Sequence, residues 1–221
     1  MTTPRLFRIS GLSLQVGAVA FAIHVVLRSL VTAGAAPATV AEQGLWVPIS
    51  TLGLVGAALV LLGLPALYAR VSGLLGFVGV VLIAVAWLFF GVFLSLYSVV
   101  LLPWLAQKAP FLVATSAPLP TGFVVVLFAA LLAWFVGTAL LAIPFVRGQL
   151  RPRWVGYLLP VSALWVVVGD LILAPGGPAA NLAVNLLSNL GPILLVAALG
   201  YLGFGMWSQS DRADALGSAT A

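Results

Sequence analysis

Six long apolar runs separated by short polar breaks organise this chain. They cover about residues 11–33, 45–69, 74–105, 121–146, 154–173 and 182–207. Runs of about 20 to 30 residues, rising 1.5 Å per residue as α-helix, match a hydrocarbon core about 30 Å thick. None shows the roughly ten-residue alternation of a lipid-facing barrel strand, and a lone helix satisfies its own backbone in lipid. The pattern therefore predicts an all-α fold, a polytopic membrane protein built as a six-helix transmembrane bundle.

The breaks refine the prediction. Residues 34–44, with Pro37 and Glu42, separate the first two runs; the second stops at Arg70, and only Val71, Ser72 and Gly73 precede the third. The third run is longer than a bilayer needs, so it tilts or projects, with Pro103 expected at its exit from the hydrocarbon. Residues 108–120, with three prolines, form the longest connection. The fourth run ends in a basic turn at 147–153, and the fifth and sixth are joined through Ala174-Pro175-Gly176-Gly177-Pro178. The tail 208–221 is polar, small and expected to be disordered and cytoplasmic.

Composition agrees. Of 221 residues, 63% are hydrophobic and 6% charged, with mean hydropathy +1.26. Soluble domains carry about 25% charged residues. With no Cys there is no disulfide, thiolate metal site or cysteine nucleophile. A single histidine, His24, cannot furnish the two or three imidazoles of a usual catalytic zinc site, and no cofactor is expected. The net charge of +5 is spread along the chain, with no basic cluster larger than Arg147, Arg151 and Arg153, so nucleic acid is not an expected partner.

Topology explains that charge better. With both termini cytoplasmic, Arg5, Arg8, Arg70, Arg147, Arg151, Arg153 and Arg212 lie inside and only Lys108 lies in an outer loop, which satisfies the positive-inside rule. Trp46, Trp104, Trp154, Tyr68 and Trp207 then fall near the interfaces. The alternative for the first run, a cleaved signal peptide ending at Ala33-Gly34-Ala35, needs an apolar stretch of about 7–15 residues, and this one is longer and carries Arg28. A short internal echo, Val55-Gly56-Ala57-Ala58-Leu59 with Pro65 and Arg70 against Val136-Gly137-Thr138-Ala139-Leu140 with Pro144 and Arg147, suggests a parallel duplication of helices two and three as four and five. Two unrelated apolar hairpins with basic turns would give the same echo.

Ionisable groups inside a span cost about 2.5–3.5 kcal/mol on insertion scales and so mark candidate chemistry. Three occur: His24, Arg28 and Asp170. Counted from the inner ends at Gly11 and Trp154, Arg28 and Asp170 lie about 25 Å and about 24 Å up their helices, at one level near the outer boundary, with His24 one turn below Arg28. The sixth run descends with Asn181, Asn185 and Asn189 at i, i+4 spacing, reaching the same levels. His24, Arg28, Asp170, Asn185 and Asn189 thus form the candidate ligand site, an outward-opening pocket among helices one, five and six. Arg28 is expected to face Asp170. The competing view is packing: Arg28 snorkels outward and the asparagines bond across helices. Trp87, Trp134, Trp165, Phe89 and Phe90 read as packing bulk, and Gly53 with Ala57 as a close-approach face.

Arg8-Ile9-Ser10-Gly11, Leu27-Arg28-Ser29-Leu30 before an Ala-Pro-Ala-Thr loop, Arg151-Pro152-Arg153-Trp154-Val155-Gly156, Gly169-Asp170 and Pro192 together resemble a bacterial family of six- to seven-helix integral membrane proteins of unknown function. Where that family often has an acidic residue after the proline, this chain has Ile193 and Leu194. The resemblance implies a bacterial cytoplasmic membrane and six spans, and brings no reaction with it. Three function classes remain: binding or transport of a small amphipathic or anionic molecule, a structural or accessory subunit beside a partner membrane protein or a second copy, and a lipid-modifying enzyme using His24 and Asp170. The enzyme class lacks a metal set, a carboxylate pair or a serine with an evident base. Membrane lipids are the expected surroundings in every case.

Overall fold

The computed structural model describes residues 3–35, 37–71, 73–113, 120–150, 152–173 and 181–219. Its main helices are α1 (Thr3–Thr32), α2 (Trp46–Arg70), α3 (Leu74–Lys108), α4 (Thr121–Val146), α5 (Arg153–Val168) and α6 (Leu190–Ala219), and no strand occurs among the described residues. Five contain segments long and apolar enough to cross a membrane. The remaining helix, α5, has 16 residues and continues into the five-residue π turn Gly169–Leu173, which brings the combined helical stretch to a span's length of roughly 30 Å.

Helix ends follow local chemistry. After α1, Gly34 takes φ +71° while the Ala35 N–H donates to the Thr32 carbonyl at 3.2 Å. After α2, the Val71 N–H returns to the carbonyls of Leu67 and Tyr68, and Gly73 turns the chain at φ +98°. These are left-handed positions that glycine occupies without a Cβ penalty. The connection expected as loop at 34–44 contains a short helix, Pro37–Ala41.

α3 continues through Pro103 to Lys108. The helix passes through the proline because a π stretch, Tyr97–Leu101, precedes it and loosens the turn that its ring would otherwise strike. A second π stretch lies at Leu88–Phe93. At the other end of the chain, helical backbone continues to Ala219.

The sixth run, expected as one helix over 182–207, is broken near its start. A short helix, Leu182–Ser188, stops at Asn189, and α6 begins at Leu190. Pro192 cannot donate to the Ser188 carbonyl and its ring would clash there, so the chain steps aside one turn earlier. Gly169 lies directly against the Ser188 backbone, where any β-carbon would collide with the Ser188 carbonyl.

The helices close into a ring in chain order: α1 packs on α2 and α6, α3 on α2 and α4, and α5 on α4 and α6. Lipid offers no hydrophobic drive between helices, so close backbone approach carries the packing. It is made by glycine against glycine: Gly17 with Gly56 between α1 and α2, Gly79 with Gly137 between α3 and α4, and Gly11 with Gly203 between α1 and α6. Gly56 and Gly137, matched in the internal echo, therefore do the same work, each against the helix before its own.

Burial runs as lipid solvation requires. Leu62, Phe128, Leu132 and Leu164 point outward, while Ser50, Thr138, Ser162 and Asn185 are enclosed together with Leu14, Trp87, Phe145 and Leu195. Of the aromatics expected at the interfaces, Tyr68, Trp104 and Trp154 are exposed, but Trp46 is buried, held by its indole N–H donating to the Ser98 carbonyl at 2.9 Å.

Candidate functional site

The ring encloses a cavity of about 250 Å³ between α1, α3, α4, α5 and α6. It occupies the end of the bundle where α1, α3 and α5 finish and α4 begins. Its contents follow from what each helix brings to that level.

From α1 come Phe21, His24, Val25 and Arg28, one helical face at i, i+3, i+4 and i+7. His24 is 3% exposed. Its Nδ1 lies 2.7 Å from the Ile49 carbonyl oxygen, which can only accept, so Nδ1 carries the proton. The ring rests on bare backbone: a β-carbon at Gly53 would sit 2.6 Å from the His24 Cγ. Gly53 is thus a seat for the imidazole, and Ala57 lies beneath Trp87, whose indole N–H donates to the Ala57 carbonyl at 3.0 Å. With Nδ1 engaged, Nε2 is the remaining polar atom of a ring that lines the cavity. One turn on, Arg28 is exposed and lines the same space, its guanidinium carbon 6.0 Å from the Trp46 ring centre.

The asparagine stripe divides into three separate roles. Asn181 caps the Leu182–Ser188 helix, its side-chain oxygen accepting from the Ala183 N–H at 2.8 Å. Asn185 is 1% exposed and does not line the cavity. Its Nδ2 donates to the Ser29 carbonyl at 2.8 Å and the Thr32 hydroxyl at 3.1 Å, clasping this segment to the end of α1. Asn189 does line the cavity, at the break before α6, and its Nδ2 donates to the Asn185 carbonyl at 2.8 Å. The backbone of Asp170 lies in the π turn after α5, but its side chain is outside the described residues, and so is its expected pairing with Arg28.

Of the five expected site residues, the structure therefore brings His24, Arg28 and Asn189 to one cavity and assigns Asn185 to helix packing. The pocket is also wider than expected, because α3 and α4 supply much of its wall. Trp87, Phe90, Leu94, Ser95 and Ser98 come from α3, and Leu127 and Trp134 from α4. Phe21 meets Trp87 at 4.7 Å between ring centres, and Phe90 meets Trp134 edge-on at 5.2 Å. These aromatics read as packing bulk in the sequence. A signal was present: Trp87, Gly91, Ser95 and Ser98 fall at i, i+4, i+8 and i+11 of an apolar run, so its small and polar residues share one face.

The result is an aromatic floor and a polar rim, with His24 between them. Ser188, Asn189, Ser98 and Arg28 offer hydrogen bonds at the rim. The Trp134 indole N–H is buried without a partner, an arrangement that costs about 1–3 kcal/mol unless something supplies an acceptor. Among the described residues no three His, Cys, Asp or Glu side chains gather where they could hold a metal ion. Chemically the site can orient a small molecule by one cationic group, fixed hydrogen-bonding groups and ring contacts. Comparison with known proteins finds no matching family, no matching characterised protein and no matching solved structure.

Proposed function

We propose that this protein is a multi-pass protein of the bacterial cytoplasmic membrane, with both termini cytoplasmic, that binds a small amphipathic or anionic molecule in the cavity at the outer end of its helix ring. The observation that carries this reading is the cavity itself, apolar and aromatic on one side and lined by Arg28, Asn189 and His24 on the other. Ligand sites combine mostly apolar walls with a few placed polar groups in this way. Arg28 meets the charged or polar head, using guanidinium donors that suit an oxyanion, and Phe21, Trp87, Phe90 and Trp134 receive the apolar part. The positive-inside arrangement of the loops supports access from the outer face.

Native mass spectrometry from nanodiscs tests the reading. A retained small molecule in the wild type, lost from Arg28→Ala and Asn189→Leu, supports it; unchanged retention in both variants leaves the cavity without a role.

One feature favours the alternative of an accessory subunit. A groove of about 380 Å³ on the outside of α1 and α6 is lined by Ala18, Ala22, Ala197, Gly200 and Phe204, with Gln15 among them. Its small residues, among larger ones such as Ile193 and Tyr201, suit the approach of a partner helix in lipid. The same spectra would then show a second copy or a partner subunit, with no small ligand.

A further inference from the structure

Resting on the reading of the cavity as a ligand site, we propose that it is loaded sideways from the outer leaflet, through a gate between α3 and α4 closed by the rings of Phe89 and Phe123. The ligand is a single-chain anionic amphiphile, with its head beside Arg28 and its chain along that gate.

The junctions around the cavity differ in kind. α1 is tied to α2 by the His24 bond to Ile49, and α2 to α3 by the Trp46 indole donating to the Ser98 carbonyl. Segment 182–188 is tied to α1 through Asn185, and to α5 by Trp165, whose indole N–H donates to the Leu187 carbonyl at 2.7 Å. The close approaches of α4 lie in its second half, where Gly137 meets Gly79 of α3 and Phe145 meets Gly156 of α5. In its first nine residues, 121–129, none is buried, although Phe123 and Leu127 continue the inward face of Trp134.

α3 parts from α4 at the same level. From its first π stretch onward it packs along α2, and across the gap to α4 ring meets ring, Phe89 facing Phe123 at 5.9 Å between centres. Phe93, 43% exposed, stacks on Phe89 at 5.4 Å; Phe89 meets Phe90 edge-on at 5.2 Å, and Phe90 lines the cavity. A line of rings therefore runs from the lipid-facing surface to the cavity wall. Rings change rotamer without breaking a hydrogen bond, so this junction opens at lower cost than the tied ones.

Depth and charge then set the ligand class. Arg28 is exposed near the end of α1, while His24 and Trp134 lie deeper in the bundle. An amphiphile of the same leaflet carries its head and its chain at those two depths, and so enters without being lifted into water. Guanidinium donors suit an oxyanion, which makes the head anionic. One line of rings offers a path to one chain. A water-soluble anion would answer Arg28 and leave that path without a use.

Because the chain has no natural cysteine, Phe89→Cys with Phe123→Cys places a single linkable pair across the gate. The full-length protein in nanodiscs is offered dodecanoate, butanoate and dodecyltrimethylammonium as separate probes, with retention read by native mass spectrometry. We expect dodecanoate to be retained and the other two to be lost. Linking the pair with a short thiol cross-linker should slow both uptake and release of dodecanoate at least about tenfold relative to the unlinked double variant. Thermal unfolding shows whether that variant is folded; if it is not, Phe123→Ala carries the test, by speeding uptake about threefold or more. Unchanged exchange in the linked protein, or in Phe123→Ala, overturns the gate and leaves the cavity reading standing. Equal retention of butanoate or of the cationic amphiphile overturns the ligand class. If no probe is retained the inference falls, and if no endogenous molecule is retained either, the cavity reading falls with it.

Discussion

His24 and Gly53 form a ring-on-backbone contact between α1 and α2 that a single methyl group would abolish. The imidazole is fixed there by its Nδ1–H bond to Ile49, one turn before Gly53 on the same helix. Gly53→Ala should therefore displace the histidine and cost about 1–3 kcal/mol, as overpacking of a close contact does. Thermal unfolding in detergent should register the loss, with reduced ligand retention beside it. An unchanged midpoint would mean that the ring is not seated there.

The glycine crossings make a second prediction with an internal control. A β-carbon at Gly79 would meet the Leu141 N at 2.9 Å, whereas one at Gly122, in the first turn of α4, meets nothing within 4 Å. Gly79→Val should destabilise the bundle by more than about 1 kcal/mol. Gly122→Ala should be neutral or slightly stabilising, because alanine is the better helix former. Equal effects at the two sites would contradict the α3–α4 packing.

Asn185 and Thr32 are expected to be coupled. The amide reaches across from the Leu182–Ser188 helix to the Thr32 hydroxyl and the Ser29 carbonyl. Asn185→Leu should cost about 1 kcal/mol, and a double-mutant cycle with Thr32→Val should return a coupling of about 0.5–1.5 kcal/mol, the range found for interhelical bonds in membranes. A coupling of zero would remove the clasp.

Threading can be tested on a chain with no natural cysteine. With both termini cytoplasmic, Lys108→Cys should react with an impermeant reagent added outside intact cells, and Ser72→Cys should react only after permeabilisation. The reverse pattern would invert the topology and place the cavity on the inner side.

The sequence made some of this arrangement plain and concealed the rest for physical reasons. Helix number followed from run length. His24, Arg28 and Asn189 stood out because a polar group in an apolar run is costly wherever it points. Asn185 looked the same by that criterion, since a clasp between helices and a cavity-lining amide differ only in what lies opposite. Trp87, Phe90 and Trp134 were hidden because aromatic residues suit lipid, core and ligand alike. Neither ring closure nor the π stretches of α3 could be inferred from periodicity, since helix adjacency depends on pairs such as Gly17–Gly56 and Gly79–Gly137 that sit far apart in the chain. The break at Asn189 had a visible cause in Pro192, three residues on.

Retention of a small molecule by the purified protein tests the central claim most directly. Native mass spectrometry of the wild type from nanodiscs should show the chain with an additional mass consistent with a molecule small enough for a cavity of about 250 Å³, and that mass should be lost from Arg28→Ala and from Asn189→Leu while both variants remain folded. A wild type that carries no such mass, or variants that carry it undiminished, would contradict a ligand site between the aromatic floor and Arg28.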